Sequence, residues 1–532
     1  MRLLIALLSS VSVVLAARVI EFDFASGKPA PFYKPWEAAV GSGHAKLALR
    51  DDWQQALLEV KKSVDFKRVR FHGLLDDDMG LVRSGTTAIG PEGHPIQTST
   101  KYTLNFTKIQ TVFDFLVYEA KMAPYIELSF MPGLLASGST TYLHYKARTD
   151  PPKNFSDWGN VIYRLASFLV ERYGIDTVST WYFEVWNEPN LKNPLPRIVG
   201  EFWTGTQLEY YELFATTSRA LKSVSETLSV GGPVTSGTPA WIGDFLKYCR
   251  VHNVSVDFVS SHSYPSASDV DFLVKSINAS TELARAAGKP FFLSEFNSGL
   301  FFDCCHDRAY AAAFLVHTAL SLQFVPPSTL QGVSYWTFSD IFEELYMDTV
   351  PFHNGYGLTT VDGIPKPALR AFELLGNFPG EFYGIARADN SSYGNLRGFS
   401  GIVTKNASDL HFQTLLTQFM PSKKGEDIVQ DVNVTVEYTL SRADPIRKPQ
   451  RTCVLNVGYI DQKRTNPFIV WKSLGSPNPM SEEEKRVVLN ASELITESLP
   501  CQVIAGKGMV RITTTLVLPV NGVVFADVWV KA

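Results

Sequence analysis

Eight short apolar segments, each followed by an amphipathic stretch, occupy the sequence between Trp36 and about Leu375. Strands that alternate with helices pair in a parallel sheet, and eight consecutive units favour a closed sheet over an open one. Because α/β barrels reach about 250 residues or more as one domain, the length is no obstacle. The sequence therefore predicts a (β/α)8 TIM barrel. Its strands are expected at WEAAV (36–40), VRFHG (69–73), YIELSFMP (125–132), WYFEVWNEP (181–189), LSVGGP (228–233), DFVSSHSYP (257–265), PFFLSEFN (290–297) and GVSYWTFSD (332–340).

The pattern changes beyond about Gly380, where helical periodicity gives way to β-rich runs with partial alternation of apolar and polar residues. Such runs, separated by polar, Pro and Gly segments, are typical of an antiparallel β-sandwich-like domain. We therefore assign the barrel to 36–380 and the sandwich-like domain to 381–532. RVIEFDF, within 18–35, precedes the first barrel strand and is a candidate to pair with the C-terminal domain.

Residues 1–17 carry the features of a secretory signal peptide. A basic start precedes an apolar core and a small-residue end, which places cleavage near Ala16 or Ala17. No later segment approaches the roughly 20 apolar residues that a transmembrane helix needs. Because N-x-[ST] sequons accompany the signal, we expect N-glycans and an extracellular or lysosomal destination. The sequons begin at Asn105, Asn154, Asn253, Asn278, Asn390, Asn406, Asn433 and Asn490.

Charge and motif content exclude several classes of function. The chain has 49 basic and 53 acidic side chains and a formal net charge of -4, which gives no electrostatic case for a nucleic-acid partner. The sequence contains no HExxH, CxxC or GxxxxGK[ST], so neither a zinc hydrolase nor a P-loop enzyme is predicted.

The five cysteines are too few for a disulfide framework in a chain of 532 residues. Cys453 and Cys501 can pair in an oxidising compartment, whereas Cys249 is expected to pack as a small apolar residue. Cys304 and Cys305 are adjacent, and because adjacent cysteines rarely bond each other, their role stays open.

Polar residues stand at the carboxyl ends of the predicted strands, where barrel enzymes keep their active sites. Glu188 follows strand four and Glu295 lies near the end of strand seven. Glycoside hydrolysis requires two such carboxylates, one protonated to donate to the leaving oxygen and one ionised to attack the anomeric carbon. Other candidates at or just beyond the strand ends are His72, Asn187, His262, Tyr264, Trp336, Glu343 and Glu344.

Each candidate also has a structural explanation. A glutamate after an apolar strand can belong to a loop or an ion pair, and His72 or His262 taken singly is equally well explained as a core histidine. Two glutamates at strands four and seven together favour chemistry. Glu184 shares the strand parity of Glu188 but lies deeper, so we assign it a structural role.

The residues around these candidates resemble a known family. FEVWNEPN, with Asn immediately before Glu at the end of strand four, resembles the acid/base signature of clan A glycosidases. Further segments narrow the resemblance to glycoside hydrolase family 39 and its β-xylosidase branch, and together they span nearly the whole mature chain. These segments are VRFHGLLDDDMG, VDFVSSHSYP, FFLSEFN, SYWTFSDIFEE, PFHNGYGL, GIPKPALRAFELL and YIDQKRTNPFIVWKSLGSP.

The resemblance implies a retaining hydrolase that releases terminal β-linked xylose, or a similar neutral sugar, through a covalent glycosyl-enzyme. Glu188 matches the general acid/base and Glu295 the nucleophile, while Asn187 would hydrogen-bond the 2-hydroxyl beside the reacting carbon. The remaining candidates would line the subsite of the terminal sugar. No metal or organic cofactor is implied.

The same family contains α-L-iduronidases, which act on glycosaminoglycans. Iduronate carries a carboxylate that requires a cation, ideally an arginine. Iduronidases have a basic pair after the strand-six histidine, whereas His262 is followed here by Ser-Tyr-Pro and no Lys or Arg before Lys275. The acidic exit of strand eight also favours a neutral sugar. An arginine brought to His262 from elsewhere, such as Arg148 or Arg308, would favour the iduronidase. An inactive carbohydrate-binding protein is disfavoured because both carboxylates are present.

Overall fold

The structure is a computed structural model. It describes residues 18–24, 28–85, 88–89, 95–96, 102–191, 201–300, 303–344, 346–387, 398–405, 411–422, 431–441, 452–506 and 509–531. The expected signal peptide at 1–17 and the sequons at Asn390 and Asn406 lie outside the described residues.

Eight parallel strands close into a barrel in the order in which they occur along the chain, which confirms the predicted TIM barrel. Aromatic residues near the amino-terminal ends of these strands, among them Tyr125, Phe258 and Phe292, pack together in the barrel interior. They lie below the carboxyl end of the barrel, where the polar residues are found. The strands are Ala39–His44, Arg68–His72, Ala123–Leu128, Tyr182–Val185, Ser229–Ser236, Phe258–Ser263, Phe291–Phe296 and Leu330–Tyr335.

The first barrel strand lies later in the chain than predicted. WEAAV was the expected strand, but Pro35–Ala38 forms a 3-10 turn and the strand runs over Ala39–His44. Its sequence AVGSGH lacks an apolar run because two of its positions are glycines, which leave space for the aromatic rings packed against them. A Cβ on Gly41 would lie 2.3 Å from the indole of Trp336, and one on Gly43 would lie 2.9 Å from the ring of Phe342.

A helix follows each barrel strand and covers the outside of the sheet. The helix Ala309–Leu322 is buried on nearly all sides, because the C-terminal domain covers the side that faces away from the barrel. The eight helices are Asp51–Ser63, Thr107–Asp114 with a π-helical extension over Phe115–Glu119, Phe155–Tyr173, Gln207–Val224, Ile242–Val251, Val270–Ala286, Ala309–Leu322 and Pro367–Asn377.

Two sheets form the C-terminal part of the chain and enclose an apolar core of their own. The four-stranded sheet contains, in spatial order, Arg18–Asp23, Val432–Ser441, Met509–Leu518 and Gln502–Gly506. The six-stranded sheet contains, in spatial order, Gly384–Arg387, Phe399–Lys405, His411–Gln418, Gly522–Lys531, Thr452–Ile460 and Thr496–Leu499.

The N-terminal strand and two helices tie this part of the chain to the barrel. Arg18–Asp23 pairs in parallel with Val432–Ser441, so a segment that precedes the barrel in sequence adds a strand to the four-stranded sheet. The helices Pro467–Ser473 and Glu482–Asn490 interrupt the β-rich region, which was predicted without helices. Trp471 of the first helix packs on Phe352, which follows the last barrel strand.

The cysteines divide into two bonded pairs and one thiol. Cys453 is bonded to Cys501, as their position allowed. Cys304 is bonded to Cys305, although adjacent cysteines rarely bond each other. Cys249 is a buried free thiol in a helix, as predicted. None of the helices in the described ranges combines the length and the hydropathy needed to cross a membrane.

A buried ion cluster joins the ends of strands seven and eight. The Lys366 ammonium is fully buried and lies 2.6 Å from Asp307 Oδ1 and 2.5 Å from Asp340 Oδ2. It also donates to the carbonyl oxygen of Gly355 at 3.0 Å. Because these carboxylates have no access to bulk water, they depend on Lys366 for their countercharge.

We expect Lys366→Met to lower the free energy of unfolding by about 3–5 kcal/mol, because it leaves two buried carboxylates without a cation. Urea denaturation followed by circular dichroism measures the loss. Lys62→Met, at a side chain that is 70% exposed, is the control and should change the free energy by less than about 0.5 kcal/mol. Equal unfolding midpoints for the two variants would contradict the expectation.

Candidate active site

The structure brings the predicted site residues together at the carboxyl end of the barrel. Most are buried, and Tyr264, Glu343 and Glu344 are partly exposed at the edge. Each one contacts another ionisable or aromatic residue of the same cluster. Their closeness follows from topology, since all parallel strands of a barrel end at the same rim.

The backbone around Glu188 is strained. Trp186 has φ 76° and Glu188 has φ 43°, values that side chains other than glycine rarely adopt. The indole of Trp186 donates to the carbonyl of Phe202 at 2.7 Å, and Glu188 N donates to the carbonyl of Val234 at 2.9 Å. These contacts hold the turn that directs the Glu188 carboxylate into the barrel mouth, and strain of this kind is concentrated at functional sites.

Arg70, which sequence analysis missed, lies at the centre of the site. Its guanidinium is fully buried and contacts three carboxylates, with Nε 2.6 Å from Glu184 Oε2, Nη1 2.5 Å from Glu295 Oε1 and Nη2 2.7 Å from Glu127 Oε2. Nη2 also donates to Asn187 Oδ1 at 3.0 Å. Burial alone would lower the pKa of Arg70, but the three carboxylates raise it well above its ordinary value.

Glu295 has the contacts of a carboxylate that is held ionised. Besides Arg70, Tyr264 donates its hydroxyl to Glu295 Oε2 at 2.7 Å, and His72 Nε2 lies 3.7 Å from Oε1. Burial raises the pKa of Glu295, while His262, Arg70 and His72 oppose that rise. The strongest hydrogen bonds to Glu295 therefore come from groups that favour its anion.

Glu188 has a different environment. Its hydrogen-bond partner is His262, whose Nδ1 lies 2.9 Å from Glu188 Oε1. Burial raises the pKa of Glu188 to about 7, and the more distant charges of His72 and Arg70 oppose this only in part. Carboxylate oxygens of Glu188 and Glu295 lie within 4.8 Å of each other. The two neighbouring carboxyl groups thus differ in their partners, a guanidinium for Glu295 and an imidazole for Glu188.

His262 is held as a neutral imidazole with its proton on Nδ1. Its Nε2 lies 3.3 Å from Arg70 Nη2, and a guanidinium only donates, so Nε2 must be an acceptor. Burial lowers the pKa of His262 to about 4, and Arg70 acts in the same direction. The Nδ1 proton is therefore available to Glu188, and His262 adds no charge to the site.

His72 carries the opposite charge state. Burial would lower its pKa, but Glu127, Glu344 and Glu295 raise it to about 10. His72 Nδ1 lies 2.7 Å from Glu127 Oε2 and Nε2 lies 3.3 Å from Glu344 Oε1. The Trp336 ring lies 4.7 Å from the imidazole of His72. A cavity lined by Phe342, Glu344, Tyr346 and Tyr356 adjoins this edge of the site.

Three groups of buried histidine and carboxylate side chains have the spacing of metal ligands: His44 with Asp76 and Asp78, His72 with Glu127 and Glu295, and Glu188 with His262 and Glu295. In the last two groups Arg70 lies against the carboxylates and supplies the positive charge. In the first group Asp76 and Asp78, together with Glu343 from outside the group, raise the pKa of His44 to about 11 against the effect of burial, so His44 is itself the cation. The donor sets thus match protein cations better than a metal ion.

A sequence signal for Arg70 and Glu127 was present. Arg70 and His72 are two residues apart on one strand and therefore share a face of the sheet. Glu127 is a charged residue within the otherwise apolar next strand. Charged residues in the middle of barrel strands point either to helices or into the barrel, and parity places Arg70 on the same side as His72. Both residues lie deeper than the strand ends, where the candidates were sought.

A TIM barrel with two carboxyl groups paired at its polar end is the architecture of a glycoside hydrolase. Comparison with known proteins gives the family. The model of glycosyl hydrolases family 39 matches residues 20–507, and the chain belongs to this family.

The relatives include enzymes of two specificities. A β-xylosidase of Caldicellulosiruptor saccharolyticus is 35% identical over 88% of this chain and 90% of that enzyme. The crystal structure of a monomeric β-xylosidase from Caulobacter crescentus CB15 superposes with a TM-score of 0.76 at 26% identity and covers 96% of this chain and 99% of that one. The α-L-iduronidase of Mus musculus is more distant, at 27% identity over 74% of this chain and 64% of that enzyme.

Replacement of Arg70 by Gln should move the acid limb of the pH–rate profile to higher pH. The loss of the guanidinium raises the pKa of Glu295, so its anion is lost at a higher pH, by about one unit or more. Hydrolysis of a chromogenic glycoside by the variant, followed as kcat/KM against pH, measures the shift. Arg70→Lys keeps a positive charge and should shift the limb less, while Arg285→Gln on the surface is the control. An unmoved acid limb in Arg70→Gln would show that Arg70 does not control Glu295.

Proposed function

We propose that the enzyme is a retaining β-xylosidase in which Glu295 is the nucleophile and Glu188 the general acid/base. The observation that carries the proposal is the asymmetry of the two carboxyl groups. Glu295 accepts hydrogen bonds from Arg70 and Tyr264, while burial raises the pKa of Glu188 to about 7. Their oxygens lie within 4.8 Å, which agrees with the separation of about 5–5.5 Å in retaining enzymes and not with the wider gap of inverting ones.

In the first step, a Glu295 oxygen attacks the anomeric carbon while Glu188 donates its proton to the leaving oxygen. The bond from the anomeric carbon to the leaving oxygen breaks, and a glycosyl ester of Glu295 forms. Esterification removes the negative charge next to Glu188, and this lowers the pKa of Glu188. Glu188 can then accept a proton from water, whose oxygen attacks the same carbon and releases Glu295.

The charge of the site favours a neutral sugar. Arg70 does lie beside His262, the position at which an arginine would favour an iduronidase. Each of its three nitrogens, however, already lies against a carboxylate, from Glu127, Glu184 or Glu295, so the protein itself compensates its charge. An anionic sugar would also meet Glu343 and Glu344 at the edge of the site. This supports xylose over iduronate.

The two other arginines considered for this role lie elsewhere. Arg148 donates to the carbonyl of Gly138 at 3.2 Å, and the Arg308 guanidinium lies 5.1 Å from the ring centre of Phe468. Neither has a contact with His262 among the described interactions. The β-xylosidase relative, at higher identity and greater coverage than the iduronidase, agrees with this choice.

We further propose that the protein follows the secretory pathway and carries N-glycans. Six of the eight sequons lie in the described residues, and four of their asparagines are exposed: Asn154, Asn253, Asn433 and Asn490. Asn253 lies in a turn, with φ 50° and an exposed side chain. Loss of mass on treatment with an endoglycosidase tests this part of the proposal.

Alanine variants should separate the roles of the two glutamates. Glu295→Ala should abolish turnover of every β-xyloside, and azide should rescue it with an inverted product. Glu188→Ala should retain the first step with good leaving groups, which need no protonation, and azide should give a product of retained configuration. ¹H NMR identifies the anomer that forms first. If both variants respond alike to leaving group and azide, the assignment of roles is wrong.

Substrate choice provides a second test. Because the arginine beside His262 is already paired with three carboxylates, kcat/KM for an aryl β-xyloside should exceed that for an aryl α-L-iduronide by at least about a hundredfold, or about 2.7 kcal/mol in transition-state binding. Side-by-side assays at the same pH measure the ratio. Preferential cleavage of the iduronide would overturn the proposal.

A further inference from the structure

Two histidines at the edge of the site hold two consecutive glutamates. His44 ends the first barrel strand and His72 ends the second, and the two are direct partners in the register of these strands. His44 Nδ1 lies 2.9 Å from Glu343 Oε1, and His72 Nε2 lies 3.3 Å from Glu344 Oε1. A pair of imidazoles on neighbouring strands thus matches a pair of carboxylates on one loop.

The orientation of His44 is fixed on every side. Its ring stacks on Tyr145 with 3.9 Å between centroids and 7° between planes. Its Nε2 lies 3.3 Å from Asp76 Oδ2 and 3.4 Å from Asp78 Oδ1. A Cβ on Gly73 would come within 2.8 Å of the imidazole, so the chain also packs closely against its edge. With the ring held in this way, the Nδ1 proton has one direction left, toward Glu343.

The two glutamates are not needed for the interior of the barrel. Their side chains are 15% and 20% exposed, and each histidine contact is made to the Oε1 atom of its glutamate. The backbone of Glu344 accepts a hydrogen bond from His144 N at 2.6 Å, which anchors the loop itself. His44 and His72 therefore determine where the two carboxylates point, not whether the loop folds.

We propose that His44 is a positioning residue that holds Glu343 beside Glu344 as a matched pair of acceptors for two neighbouring hydroxyls of the non-reducing terminal sugar. This rests on the proposed glycosidase function and deepens it by naming a residue that acts on the substrate through Glu343. Release of the terminal sugar is part of the proposed function, and the position of Glu343 supports it, because a hydroxyl substituted by a further sugar has no proton to donate to a carboxylate.

A comparison of substrates tests this assignment. With p-nitrophenyl β-xyloside and its 3-deoxy and 4-deoxy analogues, each deoxygenation should lower kcat/KM of the wild-type enzyme by about 10- to 100-fold, the effect of a lost hydrogen bond to a charged group. In His44→Asn one of these two penalties should shrink to a few-fold, while the other persists. This pattern measures the coupling of His44 to one hydroxyl.

A purely structural role would give a different result. It would lower kcat/KM of all three substrates in parallel and leave both penalties unchanged, and that outcome overturns the proposal. His252→Asn, at an exposed histidine outside the site, is the matched control and should reproduce the wild-type values. If His44→Asn fails to fold, His44→Gln serves as the second variant.

A measurement without turnover separates this proposal from the proposed function. NMR of ¹⁵N-histidine-labelled wild-type protein should show both ring nitrogens of His44 protonated at neutral pH, with an Nδ1 proton whose resonance shifts in Glu343→Gln. An unshifted resonance overturns the role of His44 whatever the substrate. If the resonance shifts but the wild-type enzyme cleaves no β-xyloside, the positioning of Glu343 stands and the proposed substrate fails.

Discussion

The contact between the Arg70 guanidinium and three carboxylates organises the whole polar end of the barrel. Removing such charges from water costs several kcal/mol per ion, and the cost is offset only when the geometry satisfies every donor. Each of the three nitrogens of Arg70 lies against a carboxylate, from Glu127, Glu184 or Glu295, and each of these glutamates belongs to a different strand. One side chain thereby fixes the relative positions of four strands, and it does so directly beneath the atoms proposed to react.

The same contact determines which carboxyl group holds a proton. Arg70 and His72 bring two positive charges against three ion-paired carboxylates, so the buried cluster already has an excess of negative charge. An ionised Glu188 would add to that excess, and its neighbour His262 cannot compensate because Arg70 keeps it neutral. Burial is thus the main cause of the raised pKa of Glu188, and the positive charges of His72 and Arg70 offset that rise only in part.

Features that follow from a repeated sequence pattern could be predicted. Features that depend on contacts between distant parts of the chain could not. The barrel was predictable because eight apolar segments and their helices recur, and that prediction is confirmed. The first strand was misplaced because Gly41 and Gly43 make room for Trp336 and Phe342, which is a tertiary requirement. Arg70 was missed because its role appears only when three other strands bring their carboxylates to it. The roles of Glu188 and Glu295 stay predictions.

The negative excess of the cluster also bears on what the site can accept. Sugar hydroxyls are donors as well as acceptors, and a rim with ionised Glu343 and Glu344 provides acceptors that water would otherwise satisfy. Two neighbouring carboxylates repel each other, and the two histidines reduce this repulsion. The imidazolium of His44 lies against Glu343 and that of His72 against Glu344. A substrate carboxylate would restore the repulsion that these histidines remove. Selection for a neutral sugar and the arrangement of the histidines thus follow from one requirement, the balance of charge in a space that excludes water.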